Sequence, residues 1–117
     1  MPRLAERRAE LLEAKAEAYA RAKDWQPAIE AFNEAIAVEE GRRKQEPEDV
    51  IVHKELAEYS SRLAAGYAAL EQWSNAARAM QSSLDALWEI EGRRPLSPEE
   101  EQLRREDLTA IEEWKRK

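Results

Sequence analysis

Few residues in this chain are of types that do covalent or acid–base chemistry, and they form no working arrangement. His53 is the single histidine. A zinc site needs further nitrogen or sulfur ligands at fixed spacing, and neither an HExxH pattern nor any cysteine supplies them. A Ser-His-Asp relay could run only through His53, and no serine sits in a Gly-flanked nucleophile turn. Gly41, Gly66 and Gly92 are isolated, so no glycine-rich phosphate loop is present. A lone histidine near a helix start is expected to be a surface or half-buried residue. Glu99-Glu100-Glu101 is the densest carboxylate run. It suits the first turn of a helix, where anions meet the positive end of the dipole, better than it suits metal or acid–base work. Arg42-Arg43-Lys44 and Arg93-Arg94 follow apolar-periodic stretches and suit helix C-termini rather than phosphate contacts. The expectation is a protein without catalytic residues, metal or cofactor.

Composition narrows the remaining classes. The chain has 117 residues, one domain's worth. It has no cysteine, which excludes disulfides and fits a reducing cytoplasm. The start, MPRLAERRAE, lacks an apolar stretch of signal-peptide type, and no run is long enough to span a membrane. The net charge is −6 with both signs interspersed, unlike the concentrated basic surface that binds nucleic acid. Ala, Leu, Glu, Arg and Lys dominate, all strong helix formers, so the fold class is all-α.

The elements that must position any functional residue follow from periodicity and breakers. A first helix is predicted from Arg3 to Lys23, with Leu4, Leu12, Ala16 and Tyr19 at helical spacing. Asp24 to Pro27 reads as a turn into a second helix carrying Ala28, Ile29, Phe32, Ala35 and Ile36, which fades between Gly41 and Pro47. Pro47-Glu48-Asp49 opens a third, whose stripe is Val52, Leu56, Tyr59, Leu63, Tyr67 and Leu70. A fourth, capped by Ser74, is expected to bury Ala77, Met80, Leu84, Leu87 and Trp88 and to end at Gly92 and Pro95. Ser97 caps a fifth, which carries Leu103, Leu108, Ile111 and Trp114.

The chain repeats itself at an offset of 48 residues. Tyr19 matches Tyr67, Trp25 matches Trp73, Ala28 matches Ala76, Ala31 matches Ala79, Phe32 matches Met80 and Ile36 matches Leu84. Repeats of this length mark stacked helical units. The pattern resembles the tetratricopeptide repeat. That motif places a small residue and an aromatic late in one helix, then a small, a bulky and a small residue in the next. Ala16, Tyr19, Ala28, Phe32 and Ala35 fit it, as do Ala64, Tyr67, Ala76, Met80 and Ser83. Lys23 and Glu71 stand where the motif has glycine in its turn, Lys15 and Ser60 replace expected apolar residues, and no proline closes the second helix at Glu40. The period exceeds the usual length of about 34 residues, as in long repeats of the kinesin-light-chain kind and of bacterial regulatory proteins.

The resemblance implies one domain over residues 1–117. Repeat one would span about 3–44, repeat two about 48–92, and a capping helix about 98–117. It implies a right-handed solenoid of antiparallel helix pairs whose first helices line a concave face that binds protein or peptide. The groove-lining positions map onto Glu10, Glu13, Glu17, Ala20 and Arg21 in the first repeat, and onto Glu58, Ser61, Arg62, Ala65 and Ala68 in the second. Where some family members clamp acidic peptide tails with basic residues, this chain has Glu13, Glu17, Glu58 and Arg62. An acidic tail would therefore be repelled, and an amphipathic segment carrying Lys or Arg is the expected partner. The alternative is a self-associating structural subunit, a homo-oligomer joined through an apolar patch of Leu96, Ile111 and Trp114, or a chaperone of a secretion or signalling system.

Overall fold

A computed structural model describes residues 2–117. Five helices follow in order: α1 (Pro2–Arg21), α2 (Trp25–Gln45), α3 (Val50–Ala69), α4 (Trp73–Glu91) and α5 (Pro98–Lys115), with no strand among the described residues. Each helix packs on the next in sequence, and the body measures 39 × 29 × 21 Å.

The 48-residue repeat recurs in the backbone. Among the described residues, Lys23 and Glu71 are the two non-glycine residues with positive φ, 59° and 58°. At the first turn Asp24 N–H bonds to Tyr19 O at 2.9 Å and Lys23 N–H to Ala20 O at 3.0 Å. At the second, Gln72 N–H bonds to Tyr67 O and Glu71 N–H to Ala68 O, both at 2.9 Å. This is the double-bonded left-handed helix end, made twice, that satisfies carbonyls a helix terminus leaves open.

Packing follows the small residues. Ala16, Ala28, Ala64 and Ala76 are fully buried, with Phe32 and Met80 in the same core. Gly66 belongs to this set: a Cβ there would lie 3.1 Å from Ile29 Cγ1, a tight contact that the Ile29 side chain would have to relieve by a few tenths of an ångström. A second cluster, built on Val52, Leu56, Leu87 and Ile90, fills the space under α4, with Leu103 of α5 against it. Trp25 and Trp73 are half-buried rather than sealed in the core.

Helix α2 ends at Gln45, inside the interval from Gly41 to Pro47 expected from sequence, and Arg42 and Arg43 each reach back three residues, to Glu39 and Glu40. Other expectations are corrected. Pro47 and Glu48 lie in the connecting turn, and Asp49 is the cap, accepting from Ile51 N–H. Ser74 lies inside α4, which starts at Trp73 without a side-chain cap. Trp88 is not core: it is 71% exposed, since Leu87 and Ile90 take the inward direction of that turn. Ser97 does cap α5, in a reciprocal box with Glu100.

Candidate functional site

Side-chain contacts link α3 to α1 and to α5. Arg62 on α3 forms ion pairs with Glu13 and, at 2.7 Å, Glu17 on α1. Ser61 on α3 donates to Asp107 Oδ1 on α5 at 3.2 Å, and Ser83 on α4 donates to its Oδ2 at 2.5 Å. Asp107 is fully buried, and that burial pushes its carboxyl up to about 6 against the two serine hydrogen bonds.

Between α3 and α5 lies an open groove of about 510 Å³. Its apolar part is Pro98 and Leu103, and its polar rim includes Glu58, Arg62, Glu99 and Glu106. Of the residues predicted from sequence, Glu58, Ser61 and Arg62 meet in this groove. Glu13 and Glu17 join its edge through Arg62, so their charge is already partnered. Glu10, Arg21 and Ala65 are exposed and lie outside it, and Ala20 and Ala68 are half-buried.

Sequence reasoning missed the α5 side of the groove. The signal was present in the repeat itself. Glu10, Glu58 and Glu106 stand 48 residues apart, one on each first helix. Among the described residues none of the three has an ion-pair partner, and Glu106 only accepts from the Gln102 amide at 3.1 Å. The three carboxylates stand on three different helices and do not converge into a group that could hold a metal ion.

The remaining chemistry-bearing residues are structural. His53 is fully buried rather than at the surface or half-buried as expected, because its Nε2 lies 2.8 Å from Pro47 O and ties α3 to the connecting turn. Glu100 is buried and held by both terminal guanidinium nitrogens of Arg94, at 2.8 and 2.9 Å. That pairing, with the Ser97 backbone bond, outweighs burial and draws its carboxyl down to about 2. Arg93 bonds to Glu89 O at 2.7 Å, as expected of a cation at a helix end, and also pairs with Glu48. Among the described residues no group of three or more His, Cys, Asp or Glu could hold a metal ion, and no helix is long and apolar enough to cross a membrane. Comparison with protein-family models, curated proteins and solved structures returned no match.

Proposed function

We propose that this chain is a short tetratricopeptide-like scaffold whose first-helix face binds a basic amphipathic helix from another protein. The observation that carries this reading is the row Glu10–Glu58–Glu106. Three carboxylates without ion-pair partners recur at the same position of three successive first helices, beside a groove with an apolar floor. A solvated face would have no reason to keep one charge sign in register across repeats. Residues seven apart lie on one side of a helix, two turns or about 10.5 Å along its axis. A partner helix crossing the face would therefore present Lys or Arg at every seventh residue, with its apolar stripe on Pro98 and Leu103. Acidic peptide tails are disfavoured by the same row.

The test is titration of the protein with helical peptides carrying lysines seven residues apart, against peptides of equal composition with the lysines scrambled. The spaced peptide should bind at least tenfold more tightly, and the advantage should shrink with added salt. Replacing Glu10, Glu58 and Glu106 together by Lys should abolish the preference with little change in melting temperature. Equal binding of the two peptides, or binding that survives the triple change, would sink the reading. Glu13 and Glu17 are poor choices for this test, because changing them also breaks their pairing with Arg62.

A further inference from the structure

The two walls of the groove between α3 and α5 are joined at one polar point. Among the described residues, the bond from Ser61 to Asp107 Oδ1, at 3.2 Å, is the single hydrogen bond or ion pair between these helices. They are otherwise held chiefly through α4, on which both pack. The second oxygen of Asp107 accepts from Ser83 of α4 at 2.5 Å, so one carboxylate ties three helices. Asp107 and Ser83 are fully buried, whereas Ser61 reaches the groove that Glu58, Arg62 and Glu106 also line. The apolar patch of Leu96, Ile111 and Trp114 expected from sequence forms no competing surface, since Ile111 is buried and the other two are half-buried.

The same register is tied one repeat earlier. Forty-eight residues before Ser61 and Asp107 stand Glu13 and Tyr59. Tyr59 is buried, and its hydroxyl faces the Glu13 carboxylate. A polar contact therefore joins successive first helices at equivalent positions in both steps. Each contact lies beside the acidic row. Glu10 is three residues before Glu13, Glu58 is three before Ser61, and Glu106 directly precedes Asp107. The steps differ in redundancy. Arg62 adds ion pairs with Glu13 and Glu17 to the first. Its counterpart one repeat on is Ala110, so the second step depends on Asp107.

Building on the peptide-binding reading, on which this role rests, we infer that Asp107 is the positioning residue of the groove. It fixes the α5 wall that carries Glu106 against the α3 wall that carries Glu58, so that one partner helix engages both. A wall left loose would have to be ordered at the moment of binding, at a cost in affinity. Asp107 also senses the charge that arrives. Its charged neighbours are Glu106 on α5 and, across the groove, Glu58 and Arg62 on α3. The buried residues of α4 carry no charge, and Arg104, one turn back on α5, is held by Glu91 and Glu101. Burial sets the Asp107 carboxyl at about 6, and the Glu106 charge adds to that rise. A partner lysine on Glu106 cancels this repulsion and favours the ionised carboxylate. Binding then expels the proton from any Asp107 still protonated, and by linkage it tightens as pH rises through about 6.

Calorimetric titration with the lysine-spaced and scrambled peptides in mild acid and at neutral pH tests this role. Wild type should bind the spaced peptide about tenfold more weakly in acid, the factor that one pH unit of coupling gives. Asp107→Asn should keep the preference for the spaced peptide, since an amide still bonds to both serines, and lose this pH dependence. Ser61→Ala cuts the tie to α3 alone and should reduce the preference severalfold. Ser83→Ala leaves the α3–α5 bond and should lower the melting temperature while keeping the preference. In the free chain, the Asp107 carboxyl carbon resonance should titrate at lower pH in Glu106→Lys, which places the partner's charge covalently. An undiminished preference in Ser61→Ala would overturn the inference, as would one pH profile shared by wild type and Asp107→Asn. Equal binding of the two peptides by wild type would instead overturn the peptide-binding reading. In that case an Asp107 midpoint unmoved by Glu106→Lys would overturn the inference on its own.

Discussion

Two junctions in this molecule occupy the same register and are built from opposite chemistry. Where α1, α2 and α3 meet, Glu39 is fully buried, and Arg42 Nη1 reaches its two oxygens at 2.9 and 3.0 Å and Glu55 at 3.2 Å. One repeat on, the equivalent positions are Leu87, Ile90 and Leu103, and these pack together in an apolar cluster. A nearby slot is exchanged in the other direction. Tyr59 packs with Ala9 and Ala35, while its counterpart Asp107 accepts from Ser61 and Ser83. The backbone arrangement thus tolerates either a hydrogen-bonded polar triad or a hydrophobic one in the same space. The fold is carried by the alanines and turns common to both repeats, and the filling of each junction is free to vary.

The comparison predicts a large asymmetry between breaking the triad and replacing it. Arg42→Ile alone leaves Glu39 and Glu55 facing each other without a cation. It should destabilise by about 3–5 kcal/mol, the usual range for an uncompensated buried charge. Changing all three together, Glu39→Leu with Arg42→Ile and Glu55→Leu, copies the second junction into the first. Desolvation of the ions then disappears along with their attraction, and the variant should gain about 1–4 kcal/mol. Urea unfolding of both variants measures this. A triple variant less stable than the single one would show that the two junctions are not equivalent spaces.

Dependence on pH sharpens the comparison, since each junction holds one carboxyl raised above its ordinary value. Burial, with Glu39 close by, pushes Glu55 from 4.5 up to about 8, so that a protonated Glu55 donates to Glu39. Burial likewise raises Asp107 from 3.8 to about 6. A raised folded-state pKa gives stability that is fully present below the unfolded value and is lost as pH climbs through the folded one. The Asp107 contribution should therefore fade between 3.8 and about 6, and that of Glu55 between 4.5 and about 8. Glu100, drawn down from 4.5 to about 2, acts oppositely, its contribution being lost as pH falls through that window. The expected profile of urea midpoints peaks in mild acid and declines in two stages toward alkaline pH. Glu55→Gln should remove the later stage and Asp107→Asn the earlier one. A profile that either variant leaves unaltered would separate that residue from the pH response.

The sequence made the shared framework legible and left the junctions obscure, for a physical reason. Ala16, Ala28, Ala64 and Ala76 declare themselves because close helix approach demands small residues at fixed spacing. Ser97 declares itself because an N-cap is a local device. The Glu39–Arg42–Glu55 triad could not be read in this way. Arg42 and Glu39 look like one turn of a solvated helix, and only the approach of α3 makes them interior. Trp88 was misread for a related cause. A four-residue step from Leu84 fits an apolar stripe, but the burial direction of α4 turns with α3 and α5 and selects Leu87 and Ile90. At the candidate groove, Glu58, Ser61 and Arg62 were identified from repeat position. Their partners on α5 were not, because that helix lacks the motif's aromatics and only the row through Glu106 betrays its register.

The smallest predicted effect tests what the two repeats have in common. Lys23 and Glu71 hold left-handed backbone at φ of 59° and 58°, with the same pair of closing hydrogen bonds. A side chain in that conformation crowds its own carbonyl, at roughly 1–2 kcal/mol per residue. Glycine avoids the crowding but loses more entropy on ordering, by roughly 0.5–1 kcal/mol. Lys23→Gly and Glu71→Gly should therefore each stabilise, by about 0.5–1 kcal/mol. Both side chains are exposed and neither forms an ion pair among the described residues, so little else changes. The two gains should be equal within error and should add in the double variant, because the turns are separate. Unequal gains, or a loss at either site, would mean that the matching dihedrals conceal different local strain. The two repeats would then differ in their turns as well as in their fillings.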